Sequence, residues 1–122
     1  MDHPHSILVI DDDEDSRDAM TECMRIQGAA DARGASDGAD GMLQLLTGLL
    51  PCMILLDMRM GGVDGTEFLR RKALDATVCL IPVIVISGTV WPILGAVVAS
   101  LLKPIDVSEL AALITQYCSA AT

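Results

Sequence analysis

Three runs of apolar residues, Ile7–Ile10, Cys52–Leu56 and Val83–Ile86, are too short for helices and show no polar residue at alternate positions. A strand that is apolar on both faces must be covered on both. That is the condition of a parallel sheet layered between helices. A weaker run at Leu101–Leu102 and the poorer segment Ala30–Ala35, tolerable only at an edge, bring the count to five. The intervening segments change period. Ala19, Met20, Cys23 and Met24 share one helical face, with Gly28 as a stop. Met42, Leu43, Leu45, Leu46, Leu49 and Leu50 follow the i, i+3, i+4, i+7 rule, and Phe68, Leu69 and Ala73 mark a third helix. Leu110, Leu113, Ile114 and Tyr117 mark the last, opened by Asp106-x-x-Glu109, which resembles a capping box. Strand and helix alternate throughout, which predicts a doubly wound α/β fold, a single domain over residues 1–122 with right-handed crossovers.

Charge narrows the partners. Eight basic residues against 17 acidic ones give a net charge of −9, which argues against direct binding to nucleic acid. The one basic run, Arg70-Arg71-Lys72, reads as a solvated helix face. Four widely spaced cysteines at 23, 52, 79 and 118, in mostly apolar contexts, read as reduced core residues of a cytoplasmic protein. His3 and His5 belong to a short polar N-terminus that reads as a frayed tail. From Ala76 to Leu102 no residue is charged, but Pro82, Pro92 and the polar group Ser87-Gly88-Thr89 interrupt the stretch. Two buried strands with a short connection fit it better than a membrane span.

Ligands of such a sheet sit beyond the carboxyl ends of its strands. The residues at those ends are Asp11, Asp12, Asp57, Ser87 and Lys103. Side-by-side carboxylates repel unless a cation compensates them. Three of them suit a hard divalent ion such as Mg²⁺, which takes one or two carboxylates plus phosphate oxygens and waters. Asp57 can then act as a carboxylate nucleophile toward phosphorus. The Lys103 ammonium neutralises phosphoryl oxygens, and Ser87 donates a hydrogen bond that exists only in the phosphorylated state. Asp13, Glu14 and Asp15 occupy a helix N-terminus, where negative charge is favourable.

Four stretches in order, ILVIDDD, LLDMRMGGVDG, VIVISG and LLKP, resemble the receiver domain of two-component response regulators, and the match spans nearly the whole chain. The resemblance implies a flavodoxin-like sheet of strand order 2-1-3-4-5. It makes Asp57 the phosphoacceptor, with Mg²⁺ (or Mn²⁺) held by Asp12 directly, Asp11 through water, Asp57 and the Arg59 backbone carbonyl. Ser87 takes the family's Ser/Thr role, and Lys103, before an expected cis Pro104, that of the phosphate-binding lysine. The implied donor is a sensor histidine kinase or a histidine phosphotransfer domain. Docking would use the first helix through Ser16, Ala19, Met20 and Met24. Such a domain is not an enzyme but assists its own phosphorylation and dephosphorylation.

The chain departs from that pattern at four places. Gly61 stands where the family usually has proline, and Ser100 where an aromatic switch residue is common. Arg59 and Thr89 occupy the positions that flank the phosphoryl group. Only 16 positions separate Ser87 from Lys103, so the helix between the fourth and fifth strands is expected to be a turn or a short helix over Ile93–Val98. The apolar 88–102 region, with Trp91 as an anchor, then either forms a partner or homodimer face or folds inward over the core. Three rival readings share parts of the pattern. Asp11-x-Asp13-x-Asp15 approximates a calcium loop, but a strand and not a helix precedes it. Asp11-x-Asp13 approximates the nucleophile motif of haloacid-dehalogenase-type phosphatases and leaves Asp57 unexplained. A degenerate receiver, acting as a phosphorylation-independent interaction or dimerisation module, is the third.

Overall fold

The protein is described from a computed structural model, over residues 6–29, 31–48, 50–58, 65–88 and 95–119, with the side chains of the last two residues excluded. Five strands, β1 (Ser6–Ile10), β2 (Asp31–Ala35), β3 (Met53–Asp57), β4 (Val83–Ser87) and β5 (Val97–Leu102), form one parallel sheet of order β2-β1-β3-β4-β5. The helices are α1 (Glu14–Ile26), α2 (Gly38–Thr47), α3 (Gly65–Ala73) and α4 (Val107–Ser119). This is the doubly wound arrangement expected from the alternating apolar runs, with the flavodoxin-like strand order that the resemblance implied.

The three central strands are buried along nearly their whole length, whereas outer strand β5 is buried only at alternate positions and β2 only at Ala32 and Ala35. One sheet face packs Ile7, Val9, Met53, Leu55 and Ile84 against Met24 of α1 and Leu110 and Ile114 of α4. The other packs Leu8, Ile10, Ile54, Leu56 and Val85 against Met42 and Leu45 of α2 and Phe68 of α3. Helix starts follow the capping logic. Asp13 accepts from the Ser16 amide, Asp37 from the Asp40 amide and Asp106 from the Ser108 amide, each satisfying an orphan N–H of a first turn. α1 stops where expected, with Gly28 at φ 102°.

The structure departs from the sequence reading in several places. β5 begins at Val97, so Val97 and Val98, expected in a turn or a short helix, belong to that strand instead: Val97 pairs with Val83, and Val98 sits at a register shift before Ala99 pairs with Ile84. Among the described residues no helix lies between β4 and β5. Trp91 and most of the connection lie outside the described residues, as do Arg59, Gly61, Thr89 and the two histidines. The solvated basic run is corrected at its third member: Arg70 and Arg71 are exposed, whereas Lys72 is 1 % exposed. Four residues after Phe68, it shares that residue's inward face. Cys52 is disulfide-bonded, against the expectation of reduced thiols, while Cys23 and Cys79 are free. Met24 is buried in the core and cannot offer the docking surface expected of it.

Candidate phosphoacceptor site

The site assembles where three central segments run out. Asp57 is the last residue of β3 and Ser87 the last of β4, 6 % and 7 % exposed respectively. Register sets Asp57 beside Ile86 and Ser87 beside Leu102, and the Lys103 amide donates to the Ser87 carbonyl at 2.9 Å. Lys103 thus leaves the sheet next to Ser87, with a cis peptide to Pro104, and its Nζ donates to Asp57 Oδ2 at 2.9 Å. The pair closes the distance between two strand ends that are 46 positions apart in the chain.

Asp11, directly after β1, is held by its backbone. Its amide donates to the Ala35 carbonyl at 3.1 Å, and its carbonyl accepts from Arg17 Nη1 at 2.9 Å. Its Oδ1 accepts from the Asp13 amide at 2.9 Å. Burial pushes the Asp11 carboxyl above the usual carboxylate range, the Asp13 amide opposes this, and the negative charges of Asp57 and Asp12 add to it. Lys103 pulls it back only in part. Asp13 moves the other way, lowered first by hydrogen bonding to the Ser16 side chain and amide. Arg17 and Asp13 are the two supporting residues that the strand-end argument did not find. The signal was present in the i, i+4 spacing from the helix cap to a basic residue.

Asp11, Asp57 and Lys103 line a single cavity of about 380 Å³, whose remaining wall includes Ala19, Met20 and Ile105. Of the residues expected at the site, Asp11, Asp57, Ser87 and Lys103 converge. Asp12 is exposed beside them, and Arg59 is outside the described residues. Among the described residues no three acidic, histidine or cysteine ligands form a closed metal cage. The donor set fits an ion that keeps its waters, as Mg²⁺ does. The packed carboxylates, with Asp11 disfavoured as an anion, are the environment that a divalent cation would relieve.

Residues 7–115 match the family model described as the response regulator receiver domain. The chain belongs to the receiver domain family. Its curated relatives include the transcriptional regulatory protein LiaR of Bacillus subtilis, 32 % identical over 110 residues, covering 86 % of this chain and 52 % of that protein. The transcriptional regulatory protein AfsQ1 of Streptomyces coelicolor is 42 % identical over 66 residues, covering 54 % and 28 %. The receiver domain therefore spans about half or less of the length of the curated relatives it matches. A solved receiver protein from Pseudomonas putida superimposes with a TM-score of 0.85 at 25 % identity, covering 95 % of this chain and 99 % of the other. The receiver domain of a histidine kinase from Syntrophus aciditrophicus gives 0.85 at 18 % identity, covering 97 % and 92 %, which shows the shared fold alone. Membership places the chain among phosphoacceptor signalling domains and removes the phosphatase reading of Asp11-x-Asp13. Such domains are generally not enzymes in the turnover sense. No helix among the described residues is long and apolar enough to cross a membrane.

Proposed function

We propose that residues 1–122 form one receiver module and that Asp57 takes a phosphoryl group from a phosphohistidine of a sensor kinase or phosphotransfer domain in the cytoplasm. The observation that carries this is the Asp57–Lys103 pair: a buried carboxylate at a strand end, with one lysine as its charge partner, facing an open crevice. In the transfer an Asp57 oxygen bonds to phosphorus as the P–N bond to imidazole breaks and the imidazole nitrogen keeps the electron pair. Lys103 then shifts its charge from the carboxylate to a phosphoryl oxygen. Ser87, on the neighbouring strand end, donates its hydroxyl to another.

Asp11, Asp12 and Asp57, with the Arg59 carbonyl, are the residues that would hold Mg²⁺, or Mn²⁺ in its place. When bound, the ion supplies charge compensation for the three carboxylates and the incoming phosphoryl oxygens. Hydrolysis of the acyl phosphate returns Asp57 to its free form, so the domain assists both its own phosphorylation and its own dephosphorylation.

The test is incubation with Mg²⁺ and acetyl phosphate, read by intact mass. One phosphoryl group is gained by the wild-type chain and none by Asp57→Asn. Label persisting in Asp57→Asn overturns the assignment of the residue, and no label in the wild type overturns it altogether and leaves a phosphorylation-independent receiver. Self-association through residues 88–102 belongs to the same reading. β5 is an outer strand, and Leu102 at its end is half-exposed. A monomer by sedimentation at high concentration, with and without acetyl phosphate, removes that part.

A further inference from the structure

β2 carries a glycine inside the strand, where a side chain would ordinarily strengthen the sheet. Gly34 pairs with Val9 of β1, and its carbonyl accepts from Gln44 Nε2 of α2 at 2.9 Å, so the backbone there is fixed from two sides. A glycine in such a place often marks the close approach of another group. Here the group is Arg17 of α1. A Cβ on Gly34 would stand 2.7 Å from Arg17 Cδ, 2.8 Å from its Cγ and 3.3 Å from its Nε, too close for the stem to stay where it lies. Gly34 is not at positive φ, so the position requires the missing side chain and not an unusual backbone.

The stem that crosses Gly34 carries a guanidinium whose Nη1 donates to the Asp11 carbonyl at 2.9 Å, six residues back. Helical side chains lean toward the helix N-terminus, which gives Arg17 that reach from the first turns of α1. The accepting carbonyl lies just past the sheet. Pairing of β1 with both neighbours ends at Ile10, and the Asp11 amide makes the last contact to β2, at the Ala35 carbonyl. Asp11 is buried, and a buried carbonyl without a donor is costly. This carbonyl belongs to the planar peptide unit that joins Asp11 to Asp12 and contains the Cα atoms of both. Holding that plane constrains the directions in which two carboxylates leave the backbone.

We propose that Arg17 is a positioning residue for the Mg²⁺ that the proposed function assigns to Asp11 and Asp12, a reading on which this one rests, and that Gly34 is the gap that lets it reach their peptide. Two other roles for Arg17 predict different results. As a plain charge it repels a cation, so its loss would tighten Mg²⁺ binding. As a plain contact of α1 on β2 it would change stability and leave the affinity of the folded protein alone. As a positioning residue it orients both acids before the ion arrives. Its loss then weakens binding even though a positive charge has gone.

The test is a Mg²⁺ titration of the full 122-residue chain without phosphoryl donor, followed by the amide NMR shifts of Asp11, Asp12 and Asp13 and by calorimetry. Arg17→Met, which keeps an unbranched stem and removes the guanidinium, raises the Kd about tenfold, the low end for losing a group that orients a metal ligand. Gly34→Ala keeps the charge, displaces the stem and raises the Kd in the same sense. The double variant is no weaker than Arg17→Met alone, because both changes break one contact. If Arg17→Met does not fold, Gly34→Ala, whose backbone an alanine can adopt, decides by itself. An unchanged or lower Kd in a folded single variant, or additive losses in the double variant, overturns the proposal and leaves the proposed function standing. A wild-type chain that does not bind Mg²⁺ overturns the magnesium reading of the crevice, and the proposal with it.

Discussion

Two lysines, Lys103 in the crevice and Lys72 on the β5 flank of α3, show how differently one side chain is treated in two regions. Lys103 stands at a strand end, partly in water, with Nζ 2.9 Å from a carboxylate. Asp57 is in contact with it, and Asp11 and Asp13 also feel its charge, so that charge lowers the local energy. Lys72 lies inside a helix face, next to a carbonyl and apolar walls, and its charge raises the local energy. A positive charge in the first region is a condition for gathering Asp11, Asp12 and Asp57. In the second no carboxylate among the described residues answers it, and the fold carries the cost.

The comparison can be broken at its electrostatic root. Lys103→Ala should slow phosphoryl uptake from acetyl phosphate on the order of 100-fold, the low end for removing one charge-compensating donor. An unchanged rate in a mass-spectrometric time course would mean that Lys103 does not compensate the transferring group. Lys72→Met should do the opposite to the fold, raising its stability by about 1–3 kcal/mol in denaturant melts at neutral pH. The sign follows from linkage. Below about pH 8 Lys72 is charged in both states and the native state carries the full desolvation cost. Between about 8 and the ordinary value of 10.5 the unfolded chain holds the extra proton, so wild-type stability rises with pH and the advantage of Lys72→Met shrinks. A difference between the two chains that stays constant across that window would show that Lys72 is not buried as a cation.

Gly41→Ala sharpens the contrast between the two flanks of α3. With Ile10 and Phe68 already against the glycine, one methyl should cost about 1–2 kcal/mol in the same melts. Ala73→Leu, facing the cavity between α3 and β5, should cost less than that. The smallest effect is expected at Asp11→Asn. Its carboxyl is raised, so its ionised form is the disfavoured one at neutral pH and the penalty disappears as pH falls through the ordinary value of 3.8. The variant should gain less than about 1 kcal/mol at neutral pH without Mg²⁺, since the crevice mouth is screened by solvent, and nothing at the acid end.

Much of the site was legible because strand ends are legible. An apolar run that stops on a charged or polar residue marks both a buried strand and the point where the chain meets solvent, and Asp11, Asp57, Ser87 and Lys103 all lie at such points. Other features had no such mark. Val97 and Val98 read as part of an irregular connection because two valines are short evidence for a strand, and the pairing of Val97 with Val83 and of Ala99 with Ile84 decided them. Cys52 carries no spacing signal, since a disulfide joins residues that only the folded chain brings together. Lys72 was misread because charge predicts exposure, although its i+4 relation to Phe68 already placed it on the inward face.

The sequence by itself determined the order of elements, the parallel sheet and the residues ending its strands, because hydrophobic period and strand termini are properties of neighbouring residues. Only the tertiary structure decided that Asp57 and Lys103 touch, that Met24 is core and that Lys72 is buried beside a cavity. Those outcomes depend on how helices rotate and seat against the sheet, and that is fixed by packing between residues far apart in the chain.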